Sequence, residues 1–144
     1  MTTPTRPQLK AEEHDGDCFK VAANIVALFD CQFALTASEN KAREMALAIG
    51  RNEHSVYLVH GYVTRPTDGK RHVHAWVEIP DVRLVLDYSN GLEVMTPIAH
   101  YYKAGKINEA CISRYGYYEA RESLVKHEHY GPWVELDDVE PTDD

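Results

Sequence analysis

Cysteine is scarce, three in 144 residues, and the number is odd. A disulfide scaffold is therefore not expected. Neither Cys-x-x-Cys nor His-Glu-x-x-His occurs, so both common zinc signatures are missing. No run of about 18 apolar residues exists, and nothing is expected to span a membrane. The opening stretch Met1 to Pro7 has no apolar segment behind it and does not read as a secretory signal. A cytoplasmic protein is the expectation. Basic residues number 15 against 23 acidic ones and form no stripe, which argues against a nucleic-acid binder.

What is present suits one folded domain. The length is ordinary for a single core, and 44% of the residues are hydrophobic. Six acids and no bases lie in residues 135–144. The net charge of −8, less −6 in that tail, leaves −2 for the rest. The expectation is a domain over 1–134 with a solvated, disordered acidic tail over 135–144.

Cys18 to Asp30 carries apolar residues at helical spacing on most faces, which predicts a central helix, with Asp15 or Asp17 as its cap. Thr36 and Glu39 have the spacing of a capping box, and a second, surface helix runs from there to Gly50. From residue 54 the period changes to two. A strand, a turn at 64–70, a strand at 72–79, a turn at Pro80-Asp81, a strand at 82–88 and a short strand at 92–95 read as an antiparallel meander. Thr96-Pro97 opens a short helix to about 104. A late strand at 110–115 and a last helix at 118–126 follow. Helices first, a meander second and mixed elements last predict an α+β domain.

Three residues carry the chemistry. Cys18 stands in the first turn of the central helix, where the dipole favours a thiolate and unpaired backbone N–H groups can hold an oxyanion. Cys31 and Cys111 read as small core hydrophobes. His74 lies on the strand face that also holds His72, Trp76 and Glu78, opposite the apolar face of Val73, Ala75, Val77 and Ile79. One of His72 and His74 is expected to be a surface residue. Asp87 ends an apolar strand, where a carboxylate needs a partner. A tight turn at 80–81 sets His74 directly opposite Asp87, so the carboxylate can orient the imidazole.

Gly16-Asp17-Cys18, then His74-Ala75-Trp76, then Leu86-Asp87 resembles the transglutaminase-like branch of the papain-like cysteine enzymes. The resemblance implies a papain-like fold with Cys18 as nucleophile, His74 as base and Asp87 as orienter. It implies a peptide- or protein-type amide as substrate and no cofactor. Papain-like proteases often place a glutamine shortly before the cysteine as an oxyanion donor. Gln8, ten residues upstream, is the candidate, and Asp17 and Trp76 are further candidates for oxyanion or substrate contact. The arginine- and glycine-rich lead-in of arylamine acetyltransferases is missing.

Two readings from other classes stand beside this one. The first is a non-catalytic binding or inhibitory protein on the same fold, using its tyrosine-rich surface. The second is a zinc domain built from His72, His74 and Cys18 with Asp87 or His60. The tyrosines at 101, 102, 115, 117, 118 and 130 read as half-buried packing residues with wet hydroxyls.

Overall fold

The apolar run after Asp17 forms helix α1 (Cys18–Ala27), buried along nearly its whole length. The computed structural model describes residues 17–28, 35–50, 52–89 and 93–141. Gln8, Asp15, Gly16 and Cys31 lie outside them. Asp17 holds the N-cap position of α1 without a side-chain capping bond, so it does not cap in the predicted way. Helix α2 (Ala37–Gly50) starts with the expected box. Glu39 N–H donates to Thr36 Oγ1 at 3.2 Å, and Thr36 N–H donates to Glu39 Oε1 at 3.0 Å. Glu39 then uses its other oxygen to accept from the buried Asn24 amide of α1 at 3.1 Å, which ties the two helices together.

The period-two segment forms β1 (Tyr57–Thr64), β2 (Arg71–Ile79), β3 (Leu84–Asp87) and β4 (Val94–Pro97). Helix α3 (Ile98–Gly105), strand β5 (Ser113–Tyr115) and helix α4 (Tyr117–His127) complete the chain. Pro97, not Thr96, stands at the N-cap of α3. The strands form one antiparallel sheet in the order β4-β3-β2-β1-β5, a meander with β5 returned beside β1. The protein is an α+β domain with an N-terminal helix packed on a five-stranded antiparallel sheet.

Both sheet faces are covered. Val56, Leu58, Ala75, Val77, Ile79 and Leu86 pack under α1, with α2 and α4 outside it. Val59, Val63, Trp76 and Val85 pack on the other face against Tyr101, Tyr102 and Ile107. A strand buried on both faces loses the polar/apolar alternation of a surface strand. That is why Trp76 and Glu78 are as buried as Val77. Cys111 is half-buried in a 3₁₀ turn before β5, so it is not the core residue its setting suggested. Arg121 of α4 donates to the carbonyl of Ala27 at 2.9 Å, satisfying one of the open carbonyls at the end of α1. In the acidic segment Asp138 accepts from Arg71 at 2.6 Å, and the Val139 carbonyl accepts from Asn108. Among the described residues no helix is long and apolar enough to cross a membrane.

His60 of β1 is fully buried, with Phe19, Tyr115 and Trp133 rings at 4.9–5.1 Å. Neither ring nitrogen has a hydrogen-bond partner among the described residues. Gly131 has φ +116°, and a Cβ there would stand 2.6 Å from His60 Cε1, so the chain passes this ring too closely for any side chain. Burial pushes His60 down to about 3. The unfolded chain takes up this proton near pH 6.5 and the folded one does not. The stability contributed is complete above about pH 6.5 and is lost as pH falls toward 3, at roughly 1.4 kcal/mol per pH unit. Urea unfolding at pH 7 and 4.5 should therefore show His60→Leu losing about 2.5 kcal/mol less over that interval than the wild type. Equal losses would show that His60 does not set the acid limb.

Candidate active site

Cys18 of α1, His74 of β2 and Asp87 of β3 come from three elements: Cys18 and Asp87 line one crevice, and His74 is bonded to Asp87. All three are buried, at 6%, 8% and 7% exposure. The two strands meet by a different route from the predicted one. Val77 pairs with Leu86 and Ile79 with Leu84, so the connection is four residues, Pro80 to Arg83, with Arg83 in the left-handed region at φ 57°. Continued along the strands, this register sets Asp87 opposite Trp76 and leaves His74 on the diagonal. A shift of two residues keeps the same face, and long side chains bridge diagonals. His74 Nε2 accordingly lies 2.9 Å from Asp87 Oδ2.

Asp87 is saturated with partners. Oδ2 accepts from His74 and from the Tyr101 hydroxyl, the latter at 2.7 Å. Oδ1 accepts from the Ser89 hydroxyl at 2.7 Å and the Ser89 N–H at 3.3 Å. Burial opposes its charge, but His74, Ser89 and Tyr101 together hold Asp87 below the usual carboxylate range. Burial alone would lower His74. Its hydrogen bond to Asp87 and the negative charges of Asp87 and Cys18 nearby outweigh that and raise it to about 10. Because Asp87 occupies Nε2, Nδ1 is the ring nitrogen left for the sulfur. Burial and Asp87 raise Tyr101 well above 10, so its hydroxyl stays a donor.

A second buried carboxylate underlies the first. Glu78 is fully buried and accepts from the Trp76 indole at 2.9 Å, from Arg114 Nε at 3.0 Å and from the Tyr102 hydroxyl. Trp76 stacks on His74 with centroids 6.0 Å apart and planes 24° apart. Its indole N–H is given to Glu78 and the side chain has no exposed surface, so it forms the floor under His74 and does not offer a donor to substrate. Gly61, paired with His74, leaves the room this needs. A Cβ there would stand 2.7 Å from Ile112 Cγ2 and 3.2 Å from Trp76.

The remaining candidates fall as follows. Asp17 is half-buried beside Cys18. Gln8 lies outside the described residues, so its place at the site has no structural description. His72 is the more exposed of the two histidines, its ring 5.5 Å from that of His74. Among the described residues no three His, Cys, Asp or Glu side chains converge as metal ligands. Sequence reasoning missed Tyr101, Ser89 and the Glu78–Arg114 pair. A glutamate inside the run from Val77 to Ile79 was the available signal, since a buried carboxylate requires donors from elsewhere.

Comparison with known proteins gives no match, whether to a family profile, to a curated protein or to a solved structure.

The His74–Asp87 pair has a stability signature. A histidine raised on folding contributes fully below its unfolded value near 6.5, and that contribution is lost as pH rises toward 10. Asp87→Asn should cost roughly 3 kcal/mol at pH 7, since it leaves a buried imidazole without its counter-charge. The variant should also lose less further stability between pH 7 and 10 than the wild type does. Urea titrations at a series of pH values measure both effects.

Proposed function

We propose that this protein is a cysteine hydrolase or acyl-transferase acting on an amide- or peptide-type carbonyl, on a papain-like, transglutaminase-like frame. One observation carries the reading. His74 is hydrogen-bonded through Nε2 to buried Asp87, and Cys18, the first residue of α1, lines the same crevice as Asp87. An imidazole held between a carboxylate and a thiol is the arrangement that nucleophilic catalysis by cysteine requires.

In the proposed reaction Cys18 and His74 rest as a thiolate–imidazolium pair, with the proton on His74 Nδ1, and the thiolate attacks the carbonyl carbon. The open N–H groups at the start of α1 face the developing oxyanion. His74 then protonates the leaving amine as the C–N bond breaks, which leaves a thioester on Cys18. Water or an acceptor amine, deprotonated by His74, attacks the thioester, expels the Cys18 thiolate and restores the thiolate–imidazolium pair. Asp87 keeps the imidazole aimed and stabilises its charged form throughout. A peptide or protein segment is the proposed substrate. The burial of Cys18 favours one other reading, a binding protein that keeps the frame without turnover.

Alkylation separates the two. Iodoacetamide at pH 6–7 should label Cys18 at least about tenfold faster than Cys111, because the thiolate is the reacting species. Peptide mass spectrometry assigns the sites. Cys18→Ser should abolish the fast phase and His74→Ala should slow Cys18 about tenfold or more. Labelling of Cys18 no faster than Cys111 in the native chain would end the catalytic reading.

A further inference from the structure

Helix α3 sets two consecutive tyrosines astride Trp76, with ring centroids 5.5 Å away for Tyr101 and 6.2 Å for Tyr102. Each hydroxyl ends on a different buried carboxylate, Tyr101 on Asp87 and Tyr102 on Glu78. Tyr101 donates to Oδ2, the same oxygen that His74 uses. Simple packing of a tyrosine does not require that oxygen. Ser89 already supplies two donors, but both go to Oδ1.

We infer that Tyr101 is a positioning residue for the Cys18–His74–Asp87 group, holding the Asp87 carboxylate ionised and aimed at His74 Nε2. The inference rests on the catalytic reading given above.

The physical argument concerns where a proton can go. An imidazolium 2.9 Å from a buried carboxylate risks losing its proton to that carboxylate, which would cancel the charge that supports the thiolate. A second donor on the same oxygen stabilises the anion and makes it the weaker base. The groups that face Asp87 are His74, Tyr101, Ser89 and, across the crevice, Cys18, with Tyr88 beside it in the chain. Among these, Tyr101 alone is a donor to Oδ2 that holds its proton through the working range and takes no part in the chemistry. It also carries the requirement outside the sheet. The orienter is correctly set only when α3 is docked, since the hydroxyl arrives from that helix.

The test uses the full chain and two readouts. Titration of the Asp87 carboxyl carbon by ¹³C NMR, assigned with Asp87→Asn, reports the anion. Cys18-specific iodoacetamide labelling at pH 6 reports the thiolate. Tyr101→Phe should move the Asp87 midpoint up by about one pH unit, as loss of one hydrogen bond to a carboxylate does, and slow labelling of Cys18 by about three- to tenfold. Tyr101 replaced site-specifically by 3-fluorotyrosine, a stronger donor of nearly the same shape, should move the midpoint down. If Tyr101→Phe does not fold, the fluorinated chain decides alone, and an unmoved midpoint overturns the inference. Unchanged midpoint and labelling in Tyr101→Phe, with His74→Ala and Asp87→Asn both slowed, would also overturn it while leaving the catalytic reading intact. Undiminished labelling in His74→Ala and Asp87→Asn would overturn both.

Discussion

Two carboxylates buried on one face of a sheet set the terms for the rest of the molecule. A carboxylate taken from water without donors is expensive, and the expense grows as the surroundings dry. Asp87 and Glu78 are both out of solvent, and each is surrounded by groups from other elements. Glu78 draws Arg114 from β5 and Tyr102 from α3. Asp87 draws His74 from β2 and Tyr101 from α3. Neighbouring residues on a helix point about 100° apart. A helix pinned through two such neighbours to two different strands can neither roll nor slide. The placement of α3 thus follows from the charges beneath it as much as from its apolar residues.

The two faces of the sheet do different work. Under α1 the packing is mostly small and aliphatic, and the buried His60 is held neutral among aromatics. Under α3 the packing is aromatic and ionic, and its histidine is held charged. Cys18 stands where the two meet, on a helix of the first face and beside an imidazole of the second. The same residue type therefore has opposite ionisation on two adjacent strands. Partners, not burial, make the difference, since both histidines are buried.

Much of this was legible in the sequence. The Thr36–Glu39 box, the change of period at residue 54 and the apolar stripe after Cys18 each fixed an element, because each is a local signal. The strand pair carrying His74 and Asp87 was legible for the same reason. Its register was not. Pro80-Asp81 reads as a two-residue turn, but Pro80 starts a 3₁₀ turn that runs through Val82, and Arg83 closes it in the left-handed region. The roles of Tyr101 and Tyr102 were illegible in principle, since nothing local says which strand lies beneath a helix residue. Burial of Trp76 and Glu78 was missed because an alternating pattern implies one wet face, and here α3 covers it.

The four-residue connection between β2 and β3 has a consequence for how this chain can diverge. Side chains alternate along a strand, so each residue added to or removed from that loop without other adjustment turns Asp87 over. An odd change would aim the carboxylate into the mostly aliphatic layer beneath α1, away from His74, Tyr101 and the other donors that hold it now. An even change would keep it toward His74 and need only a longer or shorter reach. Relatives that retain the pair should therefore vary this loop in steps of two, a parity rule that can be read from aligned sequences alone.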